Sequence, residues 1–177
     1  MPLLIFENLD MIDTNIYTEN SIRTFTGKVF DLKLLDPESI CIEDIAHALA
    51  HTPRFGGHLE KHYSVAQHSV LVAFACSSDN RLAALLHDAS EAYIGDMPSP
   101  FKKMMPEYKV IEEKLMSVIA EKFGFQVPLP QEVKRLDREY LNIEWSCLVM
   151  KEYKILEYWT AEEAEKEFLN LYNHIIS

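Results

Sequence analysis

A chain of 177 residues with 48% hydrophobic side chains carries enough apolar surface for one sizeable core. It is read as a single domain over residues 23–177, preceded by an arm at residues 1–22. The formal net charge of −11, from 28 acidic against 17 basic residues, argues against a binder of nucleic-acid polymers, which needs clustered Lys and Arg. A phosphorylated small molecule stays within reach of such a surface, since one or two local cations can hold it. Cys41, Cys76 and Cys147 are widely spaced among apolar residues, lack zinc-site spacing, and read as reduced core side chains. No apolar run approaches the ~20 residues of a membrane span, and the first residues lack a signal-like pattern. The expectation is a cytoplasmic protein that does not engage a membrane.

In chain order, weak alternation from Arg23 to Asp31 around Gly27 predicts a short β-hairpin. Ile42, Ile45, Ala46 and Leu49 form a helical stripe that ends at Thr52-Pro53. His47 and His51 lie one turn apart on it, a spacing that can bind metal but that reads here as a half-exposed helix face. Arg54-Phe55-Gly56-Gly57-His58 is a glycine-bearing loop whose Arg54 offers a planar fork of donors suited to phosphate; His58 and His62 flank it. Ser64-Val65-Ala66-Gln67 reads as a capping box that opens a helix carrying His68. Asp79-Asn80 supply a break and an N-cap for the central helix.

That helix is expected over Arg81–Asp96, with Leu82, Leu85, Leu86, Ala89 and Tyr93 on its buried side. His87 and Asp88 sit near its middle, about 100° apart around the axis. Glu91 lies one turn on from both, and Gly95 delivers Asp96 past the end. An imidazole and two carboxylates beside leucines are costly to bury without a partner, and a divalent metal is an economical one. The loop from Met97 to Lys103 follows, with Lys102 and Lys103 near Asp96. Pro106 opens a helix striped by Val110, Ile111, Leu115, Val118, Ile119 and Phe123 and ended by Gly124. A long helix is expected from about Gln131 to Lys154, with Val133, Leu136, Tyr140, Trp145 and Leu148 inward and Asp137 beside that face. Thr160-Ala161-Glu162-Glu163 reads as a capping box for the closing helix, which carries Ala164, Phe168, Leu171 and Ile175 inward.

Taken together, Tyr63–Ser69, His87–Glu91, Gly95-Asp96, Arg54–His58 and Leu136-Asp137 resemble the HD superfamily of metal-dependent phosphohydrolases, in particular its small bacterial and phage 5′-deoxynucleotidase-like branch. The resemblance runs from about Phe25 to Met150. It implies an all-α HD-domain bundle of five to six helices, with a possible short N-terminal β-hairpin. It implies one divalent transition metal held by His68, His87, Asp88 and Asp137, and a homodimer. It also implies that Arg54 and Phe55 contact the nucleotide, with Phe55 standing where relatives carry Trp, and that Asp96 meets the sugar 3′-hydroxyl.

A set of two nitrogens and two oxygens suits Zn, Mn, Co or Fe better than Mg or Ca. The reaction expected is removal of the 5′-phosphate of a deoxynucleoside monophosphate by metal-bound water. Glu91 would handle a proton, Asp88 would hold the metal at the reacting centre, and Arg54 would stabilise phosphoryl charge. Lys102 is a candidate for neutralising substrate phosphate. After His87 the only histidine is His174, so the additional downstream histidines of two-metal HD phosphodiesterases are missing. Two alternatives remain open: a phage-type deoxynucleoside triphosphate triphosphohydrolase, using Lys61, Lys102 and Lys103 as extra cations, and a catalytically silent nucleotide-sensing module.

Overall fold

The computed structural model describes residues 18–153 and 156–177. Most of the arm expected over residues 1–22, and the Lys154 end of the long helix, lie outside the described residues. The first regular structure is the expected hairpin: β1 (Ser21–Arg23) pairs antiparallel with β2 (Val29–Asp31), with Ile22 opposite Phe30. Gly27 takes a φ of 87° in its turn, a region that costs glycine little. Phe30 is fully buried and packs on Tyr93 at a ring separation of 4.3 Å, which pins the hairpin to the helical core.

The remaining regular structure is helical: α1 (Ile42–His51), α2 (Val65–Ala75), α3 (Arg81–Leu85), α4 (Glu91–Ile94), α5 (Ser99–Lys102), α6 (Pro106–Phe123), α7 (Gln131–Glu144) and α8 (Ala161–Ile176). The fold is all-α with a small N-terminal hairpin. Among the described residues no helix is long and apolar enough to cross a membrane.

Helix α2 occupies the centre and packs against α1, α3, α7 and α8. Its residues from Val65 to Val70 are all buried, so it has no water-facing side over that stretch. Around it, Ile45 and Leu49 of α1, Leu115 and Ile119 of α6, Val133 of α7 and Phe168 of α8 close one apolar core. Ser64 caps α2 by accepting from the Gln67 backbone at 3.1 Å. The Gln67 side chain does not complete the expected box; it donates to the Glu157 carbonyl at 2.7 Å and accepts from Trp159 N–H. Thr160 and Glu163 do form the complete reciprocal box at the start of α8.

The central helix expected over Arg81–Asp96 is broken. Helix α3 stops at Leu85, and residues 86–90 form a turn in which Ala89 N–H reaches the Leu86 carbonyl and Glu91 N–H the Asp88 carbonyl, each three residues back. His87 Nδ1 donates to the Ala84 carbonyl at 2.7 Å. In an α-helix that carbonyl would accept from the Asp88 N–H, so the imidazole takes the bond that would have continued the helix. Gly95 ends α4 with φ 79° and ψ 158°, a positive-φ conformation outside the left-handed helical region that is essentially confined to glycine.

Other departures are local. The stretch after Asp96 contains the one-turn helix α5. Val110 and Ile111, expected inward, are exposed on α6. Helix α7 ends at Glu144 and continues as a π turn over Trp145–Val149, so that Trp145, expected inward, is 50% exposed while Glu144 is fully buried.

Asn80 makes no cap bond to α3. Its amide donates instead to Glu132 Oε2 at 2.6 Å, beside Ser77 Oγ, which donates to the same oxygen at 2.6 Å. Asn80, then Ser77, hold the Glu132 carboxyl down from 4.5 to about 2. Because the folded value is depressed, the stabilisation is present above pH 4.5 and is lost as pH falls toward 2. Glu132→Gln is therefore expected to lower the thermal midpoint at pH 7. The gap to the native protein should narrow between pH 4.5 and 2, as read by circular dichroism melts across that range.

Candidate metal centre

His68 projects from the buried face of α2, His87 and Asp88 from the turn between α3 and α4, and Asp137 from the second turn of α7. One donor atom each of His68, His87 and Asp137 lies within 4.8 Å of the others. His68 Nε2 is 3.2 Å and His87 Nε2 is 3.7 Å from Asp137 Oδ1. Asp88 Oδ2 is 3.2 Å from His87 Nε2, so the fourth expected ligand adjoins the same group.

Both imidazoles are oriented by their outer nitrogens. His87 Nδ1 donates to the Ala84 carbonyl, and His68 Nδ1 donates to Glu144 Oε1 at 2.6 Å. Each bond puts a proton on Nδ1 and makes Nε2 the nitrogen that faces the carboxylates, able to share a proton with them or to offer its lone pair to a metal, the arrangement that metal-binding histidines use. His87 Nε2 is buried and lacks a hydrogen-bond partner among the described residues. A buried ring nitrogen without a hydrogen-bond partner, beside two carboxylates, fits a divalent cation in chemistry and placement.

The charges are already sorted. Burial opposes ionisation of Asp88, but His87 beside it prevails and holds the carboxyl well below its usual range. Asp137 is likewise held far down, by the hydrogen bond from His68 and the adjoining His87 acting against burial. Burial alone would depress His87, yet Asp88 and Asp137 hold it well above its ordinary value.

Glu144 was not anticipated. Its carboxylate accepts from Arg54 Nε at 3.0 Å and Nη2 at 2.7 Å through Oε2, and from Tyr63 OH at 3.0 Å and His68 Nδ1 through Oε1. Arg54 is thus buried and committed to Glu144, with Nη1 left 3.9 Å from Asp88 Oδ2. The signal for Glu144 was its register. It follows Asp137 by two helical turns and Tyr140 by one, on the inward side.

Phe55 adopts φ 55°, in the left-handed region that bulky residues avoid, followed by Gly56 and Gly57 at 61° and 75°. This turn sets the Phe55 ring 6.1 Å from Trp145, beside the Arg54 guanidinium at 5.6 Å.

Lys102 donates to Glu91 Oε1 at 3.1 Å and to Glu112 Oε1 at 2.7 Å. It is engaged by two protein carboxylates, so it is not a free cation for phosphate. Glu91 is buried and its Oε2 lacks a partner among the described residues. Burial, with Asp88 and Asp96 nearby, pushes its carboxyl well up despite Lys102. Asp96 is half-buried and raised by burial, with Arg54 opposing.

His58 is exposed, and His62 Nε2 donates to the Ala50 carbonyl at 2.8 Å; neither joins the cluster. Lys61 lies 5.6 Å over the Tyr158 ring and Lys103 is exposed. Glu144→Ala would leave the buried Arg54 guanidinium without its counter-charge, and removing one partner of a buried pair costs about 3–5 kcal/mol. Urea unfolding should show a loss of that size, with Glu139→Ala on the exposed side of α7 nearly neutral.

No protein-family model matches the chain. It is 35% identical over 95 residues to the 5′-deoxynucleotidase VV1113 of Vibrio vulnificus, covering 48% of this chain and 41% of that protein. It is 39% identical over 123 residues to the uncharacterized protein RCAP_rcc00048 of Rhodobacter capsulatus, covering 64% of this chain and 63% of that one. Similarity to the uncharacterized protein YfdR of Escherichia coli K12 reaches 44% identity over 123 residues, 70% of this chain and 69% of the relative. At that identity and coverage the chain belongs to the same protein family as YfdR.

Proposed function

We propose that the protein is an HD-type phosphohydrolase that removes the 5′-phosphate of deoxynucleoside monophosphates, working as a homodimer. The observation that carries the reading is the convergence of His68 Nε2, His87 Nε2 and Asp137 Oδ1, with both outer imidazole nitrogens already satisfied. The partial similarity to a 5′-deoxynucleotidase points to the same reaction class. A divalent transition metal held by His68, His87, Asp88 and Asp137 would polarise a phosphoryl oxygen and acidify a water.

The protein's own groups divide the remaining work. Arg54, fixed by Glu144, presents Nη1 on the Asp88 side to the non-bridging oxygens. Burial and two neighbouring carboxylates disfavour the charged form of Glu91 and push its carboxyl well up. A protonated carboxyl with a free oxygen is a general acid, and it would protonate the leaving 5′-oxygen. Asp96 would receive the sugar 3′-hydroxyl, and Phe55 would border the base.

The distribution of cations favours a monophosphate over a triphosphate. Arg54 is paired with Glu144, and Lys102 is ion-paired with Glu112 while it donates to Glu91, so little positive charge is left for two further phosphates.

The test is turnover by metal-stripped protein resupplied with Mn, Co, Zn or Mg, using dAMP, dGMP, dTMP, dCMP, AMP, dATP, dGTP and cyclic AMP, with products separated by chromatography. Nucleoside plus phosphate from the deoxynucleoside monophosphates is expected. Glu91→Gln should reduce kcat by about 10²–10⁴-fold, and Asp88→Ala should abolish it. Nucleoside plus triphosphate from dATP or dGTP would reassign the substrate at the same site. Bound metal without any turnover would leave a nucleotide-sensing module.

A further inference from the structure

His47 and His51 stand on successive turns of α1, and Glu165 meets them from α8. One donor atom from each lies within 4.8 Å of the others. His47 Nδ1 is 3.0 Å from Glu165 Oε2. The Phe25 ring stacks on the His47 imidazole at 3.7 Å and 9°, which fixes its plane, and the His51 ring is 4.2 Å away. His51 Nδ1 donates to the His47 carbonyl at 2.8 Å, so its proton sits there and Nε2 keeps a lone pair. A helical His pair with one turn between its members brings two nitrogens to one face, and a carboxylate from a second helix supplies an oxygen to the same point.

We infer that His47, His51 and Glu165 form a second divalent transition-metal site that clamps α1 to α8. Two imidazoles and one carboxylate suit zinc, cobalt, nickel or copper; magnesium and calcium prefer oxygen throughout. Zinc–nitrogen bonds of about 2.1 Å place tetrahedral ligand atoms about 3.4 Å apart, a spacing that rotamer adjustments of these partly exposed side chains can reach. Glu162 lies one turn before Glu165 on α8 and adds a carboxylate near the same face.

The site is open to water, and none of its residues belongs to the His68–His87–Asp137 centre. Its role is therefore structural: α1 leads into the Arg54 turn, so an ion joining α1 to α8 would stiffen the element that delivers Arg54. A simple His47–Glu165 ion pair would not involve His51, and that difference is what the test reads.

Full-length protein is stripped of metal, dialysed against excess Co(II) or Zn(II), freed of unbound ion, and its metal counted by elemental analysis. Two ions per chain are expected in the native protein and one in His51→Ala and in Glu165→Ala, both folded by circular dichroism. His68→Ala should retain one ion, and that ion should be lost in His68→Ala/His51→Ala. Zinc should also raise the thermal midpoint of His68→Ala but not of the double variant. Metal content unchanged by both His51→Ala and Glu165→Ala would overturn the assignment. The His68→Ala background keeps this result separate from the outcome at the phosphohydrolase centre.

Discussion

A carboxylate with no access to water, that of Glu144, fixes the geometry of the centre. Burying an ionised carboxylate costs several kcal/mol unless charge and hydrogen bonds replace its hydration. Here three side chains from before and within α2 do so: Arg54, Tyr63 and His68. Burial pushes the Glu144 carboxyl up, while His68 and Arg54 pull it below its ordinary value, so it remains a charged acceptor. That acceptor sets the tautomer of His68 and the direction of the Arg54 fork with a single group. The 54–63 segment, which carries two glycines and no regular helix of its own, is thereby tied to α7.

The other carboxylates divide into two classes with different work. Asp88 and Asp137 adjoin imidazoles and stay ionised; Glu91 and Asp96 lie where burial and neighbouring acids raise them. Adjacent acids are thereby pushed apart in ionisation, the pattern by which a site can hold anionic groups and a proton donor side by side. Lys102 keeps the division from being more extreme, since it bonds to Glu91 while sharing its charge with Glu112.

The all-α class, the hairpin, the Thr160 box and the convergence of His68, His87 and Asp137 were legible because each depends on local spacing or on a motif. The Glu144 pairing was not, since it joins residues 90 positions apart and has no motif to mark it. Trp145 misled for a related reason. Helical periodicity leaves neighbouring inward positions nearly equivalent, and aromatic bulk suggested the core where a partnered acid took the place. Lys102 illustrates the limit of charge read from sequence, since a positive side chain does not disclose that two glutamates will claim it. Asn80 has the residue type of an N-cap, whose side-chain oxygen accepts from the helix N–H groups, but its amide instead donates to the Glu132 carboxylate, a partner 52 residues away that local spacing does not mark.

The broken helix carries the deepest consequence. On a regular helix, adjacent side chains diverge by about 100°, which would separate His87 from Asp88. Yet His87 Nε2 and Asp88 Oδ2 lie 3.2 Å apart. The tightened turn over residues 86–90 makes that possible, and His87 helps cause it by taking the Ala84 carbonyl. The same hydrogen bond therefore ends α3, sets the imidazole tautomer and leaves Nε2 facing two carboxylates. Departures from helical geometry cluster around this centre: the tightened turn at 86–90, the left-handed residues 55–57 and the π turn after Glu144. A helix can bring one face of a sequence to a point, but consecutive residues converge only where its hydrogen-bond pattern changes. The candidate metal centre is built at those changes.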